Sequence, residues 1–516
     1  MGQGESLNRV AAISSWRKTE MKRAVRIDER DNVAVALVRL EPGERIALGG
    51  LEVVLGEEIL PGHKVALFDL PAGSRAIKYG HPIGCLTAGV RAGDWVHTHN
   101  LRSELAGPRA YTYRPGRVEV EPSPGPPPTF RGYRRRGGKA GIRNEIWVLA
   151  AVGCINKQCE RLARLAGERL AGVPDGIHVF GHPYGCSQLG EDLERTRRIL
   201  AGLAAHPNAG GVLVVGLGCE ENRLADLEAA LGDYDRERVK FLLLQEAEDE
   251  TAEALHLLEV LIREAKEDRR EEISAAELVV GLKCGGSDGF SGLTANPLVG
   301  LVVDRIVGWG GSCLLGEIPE IFGAEEVLLA RARDEETFHH LAALVNEWKD
   351  YYLGHGVPVY ENPSPGNLAG GITTLEEKSL GCVEKAGRAP VADVLRYGEG
   401  IRRRGLSLVE SPGNDPVATT ALAAAGAHLV LFTTGRGTPY GGPVPTLKIA
   451  SRSELARAKP NWIDFDAGRL LAGEDLGSLA DELAALLLTV AGGEVVTRNE
   501  INGDREMAIF KTGVTL

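Results

Sequence analysis

Short apolar runs, each breaking into a glycine-rich polar turn, limit this chain's fold more than any other feature. Ile146–Val152, Ile177–Phe180, Gly211–Val215, Glu277–Val280 and His428–Phe432 are each four to seven residues long. That is too short for a buried helix and right for a buried strand. Helix-like segments lie between several of them, including Gln158–Leu170, Leu298–Val307 and Glu335–Tyr352. Strand, polar turn and helix in repetition predict parallel, Rossmann-like sheets covered by helices.

The turns carry the chemistry. Cys154, Cys186, Cys219 and Cys284 each follow an apolar run, and His182 sits close to Cys186. Ligands in open α/β sheets bind outside the carboxyl ends of the strands. The four cysteines and His182 are therefore expected to face one crevice and to hold a metal there, since thiolate and imidazole suit transition metals. No CxxC pair supports a zinc ribbon or a thioredoxin-type site. The turn after Glu277–Val280 is the richest, with Lys283, Cys284, Ser287, Asp288, Ser291, Thr294 and Asn296 set among the five glycines between Gly281 and Gly292. Glycines let backbone approach a ligand closely, so this turn is read as a site.

Two basic features point to a carboxylate. Arg143 and Asn144 end the most basic stretch of the chain, Phe130–Asn144, and enter a strand. Arg436 lies between two glycines after another strand. A guanidinium in either position can clamp a carboxylate with paired hydrogen bonds.

The region before residue 100 differs. Asn32–Val38, Leu51–Leu55, Lys64–Phe68 and Asp94–His97 alternate with Pro-Gly and Ala-Gly turns and include no long helix, which predicts a small all-β domain. It holds His63, His81, His97 and His99. On a strand, His97 and His99 would share a face. The expected divisions are an extension over 1–22, the β domain over 23–100, and a proline-rich linker over 101–129. Two α/β catalytic subdomains follow, over 130–272 and 273–516. A chain of 516 residues requires several cores.

Net charge is −12, which argues against nucleic acid or an anionic membrane as partner. No apolar run approaches the roughly 18 residues of a membrane span. The N-terminus lacks a signal-peptide pattern, and eight scattered cysteines do not form a disulfide framework. A reducing cytoplasm is expected, and a homo-oligomer is allowed. Few aromatics (5%) and many polar strand-end groups suit a small, hydroxylated, anionic substrate such as a sugar acid. A metal that chelates such an acid eases removal of the proton beside the carboxylate, and a general acid then assists loss of the neighbouring hydroxyl.

Asp31–Leu37, Gly62-His-Lys64, Lys78-Tyr-Gly80, Val96–Asn100, Gly141–Asn144 and Tyr184–Gln188 together resemble the altronate/galactarate dehydratase family. So do Gly216–Glu220, Cys284–Asp288, Thr294–Pro297, Asn362–Gly366 and Thr434–Pro439. The match runs from about Arg23 to Gly468. This resemblance implies a multidomain α/β protein with an N-terminal SAF-type β-clip domain. It also implies dehydration of D-altronate to 2-dehydro-3-deoxy-D-gluconate with a divalent metal, Fe2+ or Mn2+, in hexuronate catabolism. The segments Val96–Asn100 and Tyr184–Gln188 resemble the altronate branch; galactarate is the competing substrate. A related sulfolactate sulfo-lyase is disfavoured by the fused SAF-like part, and a sugar-acid-binding sensor is the non-enzyme alternative. The roles expected on this basis are Lys283 or Asp288 as base and His97 or His99 as acid. Arg143, Asn144, Ser287, Asn296, Arg436 and His63 would hold substrate. The metal would fall to Cys154, His182, Cys186, Cys219 and Cys284.

Overall fold

The structure is a computed structural model that describes residues 22–48, 50–114, 120, 122 and 125–514. The extension before residue 22, and the linker positions 115–119, 121, 123 and 124, lie outside the described residues.

The N-terminal part is built from short antiparallel strands. Strands β1 (Ala24–Val25), β2 (Val33–Ala36), β5 (Lys64–Ala66) and β8 (Trp95–Val96) form one sheet in that order. Strands β6 (Arg75–Lys78), β7 (His81–Leu86) and β9 (Leu101–Arg102) form a second, and β3 (Arg45–Leu48) pairs with β4 (Leu51–Val54) as a hairpin. The turns are glycines at positive φ, among them Gly43, Gly62, Gly73 and Gly93.

Strand β8 stops at Val96. His97 N donates to Asn100 Oδ1 (2.9 Å), and Asn100 N and Leu101 N both donate back to His97 O. His97–Asn100 is thus a closed turn, and strand alternation does not apply to it. His97 is buried while His99 is exposed against Trp95, so the two do not share a face as the sequence led us to expect.

Strand β10 (Thr129–Arg134) pairs with β11 (Ala140–Gly141) and β16 (Arg270–Ser274), an antiparallel sheet at the junction of the two α/β units. The first unit has a four-stranded parallel sheet in the order β13 (Ile177–Phe180), β12 (Glu145–Ala150), β14 (Ala209–Gly216), β15 (Val239–Leu243). β12 and β14 are buried at every residue, the state of a central parallel strand with helices on both faces.

The second unit has seven parallel strands. Their order is β19 (Val391–Leu395), β20 (Gly405–Val409), β18 (Ser312–Leu315), β17 (Val279–Cys284), β21 (Leu429–Thr434), β22 (Thr446–Ala450), β23 (Phe465–Asp466). The chain leaves β17 toward β18, β19 and β20, then returns to the other side of β17 as β21. The carboxyl end of β17 is therefore where the strand order reverses, the place such sheets use for ligands. None of the helices among the described residues is long and apolar enough to cross a membrane.

A buried charge network at the end of strand β17

Lys283 and Cys284 close β17 and are almost fully buried. Lys283 Nζ is paired with Glu317, lies 2.8 Å from Asp415 Oδ1, and donates to Cys284 O (2.6 Å). Burial alone would lower its pKa. Glu317 and then Asp415 outweigh that and hold it well above the ordinary lysine value. Lys283 is thus held as a buried cation by two internal carboxylates.

Glu317 accepts from Cys284 N (3.1 Å) and also pairs with Lys385 (3.2 Å). It does so from a left-handed backbone conformation (φ 67°), one that a β-carbon disfavours and that clusters at functional sites.

Cys284 Sγ lies 3.4 Å from Cys382 Sγ, and Glu320 Oε2 is 3.7 Å from the first and 3.5 Å from the second. The hydrogen bond from Cys382 lowers the Cys284 pKa against burial, and the same bond raises that of Cys382. The one sulfur–sulfur contact thus makes Cys284 the more acidic thiol of the two. Glu320 is paired with Lys378 (2.9 Å), which outweighs its burial and keeps it ionised. The ligand atoms of Cys284, Glu320 and Cys382 all lie within 4.8 Å of one another. Two sulfurs and a carboxylate fit a divalent transition metal.

Cys382 and Lys378 come from the helix Leu375–Val383, which is buried at all nine residues. Its Glu376-Glu377-Lys378 run therefore needs internal partners. Glu376 accepts from Ser103 Oγ and Glu104 N. Glu377 takes Lys64 on one oxygen and Lys78 on the other, each at 2.8 Å, with all three side chains at most 2% exposed. Both lysines belong to the N-terminal β part, so this ion triad fastens it to the α/β body. Lys64 also donates to Gly371 O and Thr373 Oγ1, the hydroxyl that holds His97 Nδ1 at 2.8 Å. Burial, followed by Lys64, depresses His97 to about 4. Its ring is thus held in the neutral form at neutral pH, which weighs against the acid role expected of it. His63 stacks edge-on against His97 and accepts from Trp95 Nε1 (3.2 Å).

The docking leaves no room for side chains. A β-carbon on Gly289 would meet Gly62 O at 2.1 Å, and one on Gly292 would meet Tyr79 Oη at 2.3 Å. These two glycines of the β17 turn thus admit the N-terminal β part.

Asp288 heads this turn. Its Oδ1 accepts from Phe290 N, Ser291 N, Ser291 Oγ and Ser451 Oγ. Its Oδ2 lies 3.2 Å from Arg452 Nε without hydrogen-bond geometry. Burial raises its pKa, against the pull of Arg452 and the hydroxyls. Asp288 lines a narrow cleft with Lys78, Ser287, Asn296, Glu377, Lys378 and Cys382. Asn296 is spent on structure, donating to Gly381 O and accepting from Thr433 Oγ1. The Arg436 turn is tied to Gly286 O by two backbone bonds, with its residue exposed.

The remaining expected residues lie elsewhere. Arg143 does hold a carboxylate, but an internal one: Glu500, through Nε (2.8 Å) and Nη2 (3.0 Å). Asn144 donates to Ala265 O and accepts from Arg135. His182 is buried with both ring nitrogens engaged, by Ala150 O and Tyr184 N, so it is unavailable as a ligand. Cys154, Cys186 and Cys219 are exposed at the ends of the first sheet, on a different sheet from Cys284. The four cysteines do not converge on one crevice.

A family model for the altronate/galactarate dehydratase SAF domain matches residues 22–104. The second-domain model of D-galactarate dehydratase/altronate hydrolase matches 132–266, and the C-terminal model of D-galactarate/altronate dehydratase matches 275–515. The chain belongs to the altronate/galactarate dehydratase family. It is 48% identical to altronate dehydratase of Bacillus subtilis (strain 168), over 96% of this chain and 100% of that protein. Identity is 49% to altronate dehydratase of Escherichia coli (strain K12), over 95% and 99% respectively. Galactarate dehydratase (L-threo-forming) of Escherichia coli (strain K12) is 33% identical over 97% of this chain and 99% of its own length. In this family member, Lys64, Lys78, Glu317, Glu320, Glu377, Lys378, Cys382, Lys385 and Asp415 join the site without having been singled out from sequence. The one advance signal was that Lys64 and Lys78 lie inside the family-like segments at 62–64 and 78–80.

Proposed function

We propose that this chain is a hydro-lyase converting D-altronate to 2-dehydro-3-deoxy-D-gluconate and water. The observation that carries the reading is the buried lysine, carboxylate and thiol network at the β17 end, opening on a cleft between catalytic body and β-clip domain. The two altronate dehydratases above, each matched over at least 95% of this chain, supply the substrate.

Within the cleft, Asp288 is the base. Its Oδ2, which accepts no hydrogen bond and lies beside Arg452, takes the proton from the carbon beside the substrate carboxylate, and its raised pKa makes it a stronger base than an ordinary aspartate. Lys78 and Lys378 line the same cleft as cations and offset the negative charge that gathers on the carboxylate oxygens. Ser291 Oγ and Ser451 Oγ hold the other Asp288 oxygen, which fixes the direction of attack. Cys284, Glu320 and Cys382 would hold the divalent metal, Fe2+ or Mn2+. When bound, that ion supplies Lewis acidity toward the substrate's oxygens. A sugar-acid catabolic role in the cytoplasm accords with this chemistry.

The test is turnover of D-altronate, galactarate and sulfolactate by reduced, metal-reconstituted protein, read as 2-keto product. Altronate is expected to be converted fastest. Binding of altronate without turnover would favour a sensor, and faster galactarate conversion would move the chain to the other branch.

A further inference from the structure

Cysteine is among the residue types most often buried. Yet Cys154, Cys186 and Cys219 are all exposed, and Cys186 and Cys219 are both near enough to act on the Cys154 thiol. They follow β12, β13 and β14, three adjacent strands of the first sheet. The Cys154 thiol faces those of Cys186 and Cys219; slight desolvation and then these two neighbours raise its pKa.

The three loops are knitted together beneath the sulfurs. Gly153 N donates to Tyr184 O (2.7 Å), Asn222 N to Gly185 O (3.0 Å), and Asn222 Nδ2 to Ala151 O (3.0 Å). His182 Nε2 bonds Ala150 O (2.8 Å), which locks the second loop to the first strand. Gly185 is at φ +97°, where a β-carbon would stand 2.3 Å from Ala151 O. Gln245 Nε2 approaches Cys219 Sγ at 3.8 Å. A rigid backbone platform thus presents three thiols to solvent.

The spacing selects the ligand. Around one tetrahedral ion with metal–sulfur bonds of about 2.3 Å, sulfurs sit roughly 3.8 Å apart. Among the described residues, the only group of three or more metal-ligating atoms within 4.8 Å of one another is that of Cys284, Glu320 and Cys382. Cys154 and Cys186 stand within hydrogen-bonding reach, but the three exposed sulfurs are not all within 4.8 Å of one another, so as a trio they are set wider than the ligands of one tetrahedral ion, as thiolates are around the corners of an iron–sulfur cube.

We propose that Cys154, Cys186 and Cys219 hold a [4Fe–4S] cluster, each thiolate binding one iron. Two ferrous ions, two ferric ions and four sulfides complete it, and the three thiols lose their protons on binding. The fourth iron has no protein thiolate and is open to a carboxylate or hydroxyl oxygen. The amide of Gln245 donates toward Cys219 sulfur, a contact that tunes such clusters. This site is independent of the substrate reading above, and its test needs no turnover.

The full chain, purified without oxygen, is incubated with equal ferrous and ferric iron, sulfide and a thiol reductant, then desalted. Iron, acid-labile sulfide, visible absorption and the paramagnetic signal of the reduced sample are measured. The expected result is about four iron and four sulfide per chain with broad sulfide-to-iron absorption. Cys154→Ser, Cys186→Ser and Cys219→Ser should each lose the sulfide and the absorption, whereas Cys284→Ser and Cys382→Ser should keep both. Exposed positions tolerate such changes, and an unchanged thermal transition verifies folding. The proposal is overturned by one iron or zinc per chain without sulfide, or by absorption that survives the three substitutions. Sulfide-free protein whose thiols have simply become disulfide overturns it as well.

Discussion

Replacing Glu377 by Gln keeps the shape of the side chain and removes the one negative charge that Lys64 and Lys78 share. Burial raises the Glu377 pKa, but Lys64 and Lys78 bring it from 4.5 down to about 2. A fall from 4.5 to about 2 corresponds to about 3–4 kcal/mol of stabilisation at neutral pH. Breaking a buried ion pair from one side costs a similar 3–5 kcal/mol or so. A depressed carboxylate pKa contributes stability that is present above 4.5 and is lost as pH falls toward about 2, so the parent should weaken in that window and Glu377→Gln should not. Lys64 works in the opposite direction. Burial takes it to about 8, so its cost is full below 8 and fades as pH rises toward 10.5. The chain has several cores, so one global unfolding energy is ill-defined and the local opening energy is the right readout. Amide exchange at residues 63–66 and 371–378 should accelerate roughly 10²–10³-fold in Glu377→Gln. Adding Lys64→Met should recover part of this, because one unpaired ammonium is then gone. Exchange within threefold of the parent in Glu377→Gln would refute the idea that this triad fastens the β-clip domain.

Asp288→Asn should lower kcat roughly 10²–10⁴-fold while leaving the thermal midpoint equal or higher. The sign follows from the raised pKa: the ionised buried carboxylate costs stability above that pKa, and Asn removes the charge. In the parent, kcat/KM should fall on the acid side at a pH above the usual aspartate range. Cys382→Ser should lower bound iron or manganese at the buried site in metal analysis of sulfide-free reconstituted protein, since it removes one of three clustered donors. Arg143→Met should destabilise the fold by about 3 kcal/mol in denaturant titration and leave KM unchanged, because its partner is Glu500. A large rise in KM would restore the substrate role first expected of it.

Strands β12, β14, β17 and β21 were legible because a buried parallel strand must be apolar throughout, and little else in a soluble chain looks like it. The polar end of β17 was legible for the complementary reason: Lys283, Asp288 and Asn296 have no business at the end of such a strand unless a ligand or an internal partner meets them. The helix Leu375–Val383 was not legible. Enclosed on all sides, it has no solvent face and so no amphipathic period to read. Glu317 and Glu320 follow β18 in a turn whose composition is that of any surface loop. Lys64 and Lys78 stand on short strands where a lysine normally faces water; only the docking of one domain on another buries them. The cysteines make the limit clearest. Cys154, Cys186, Cys219 and Cys284 share one local signature, a thiol just past an apolar strand, yet three end one sheet and the fourth ends another. Local pattern fixes where a side chain sits on its own strand. Which strands lie side by side depends on contacts between distant segments, such as β17 returning beside β21 after some 145 residues of intervening chain. The same argument covers Arg143: a guanidinium beside a strand predicts a carboxylate correctly, and only the fold reveals that Glu500, 357 positions away, supplies it.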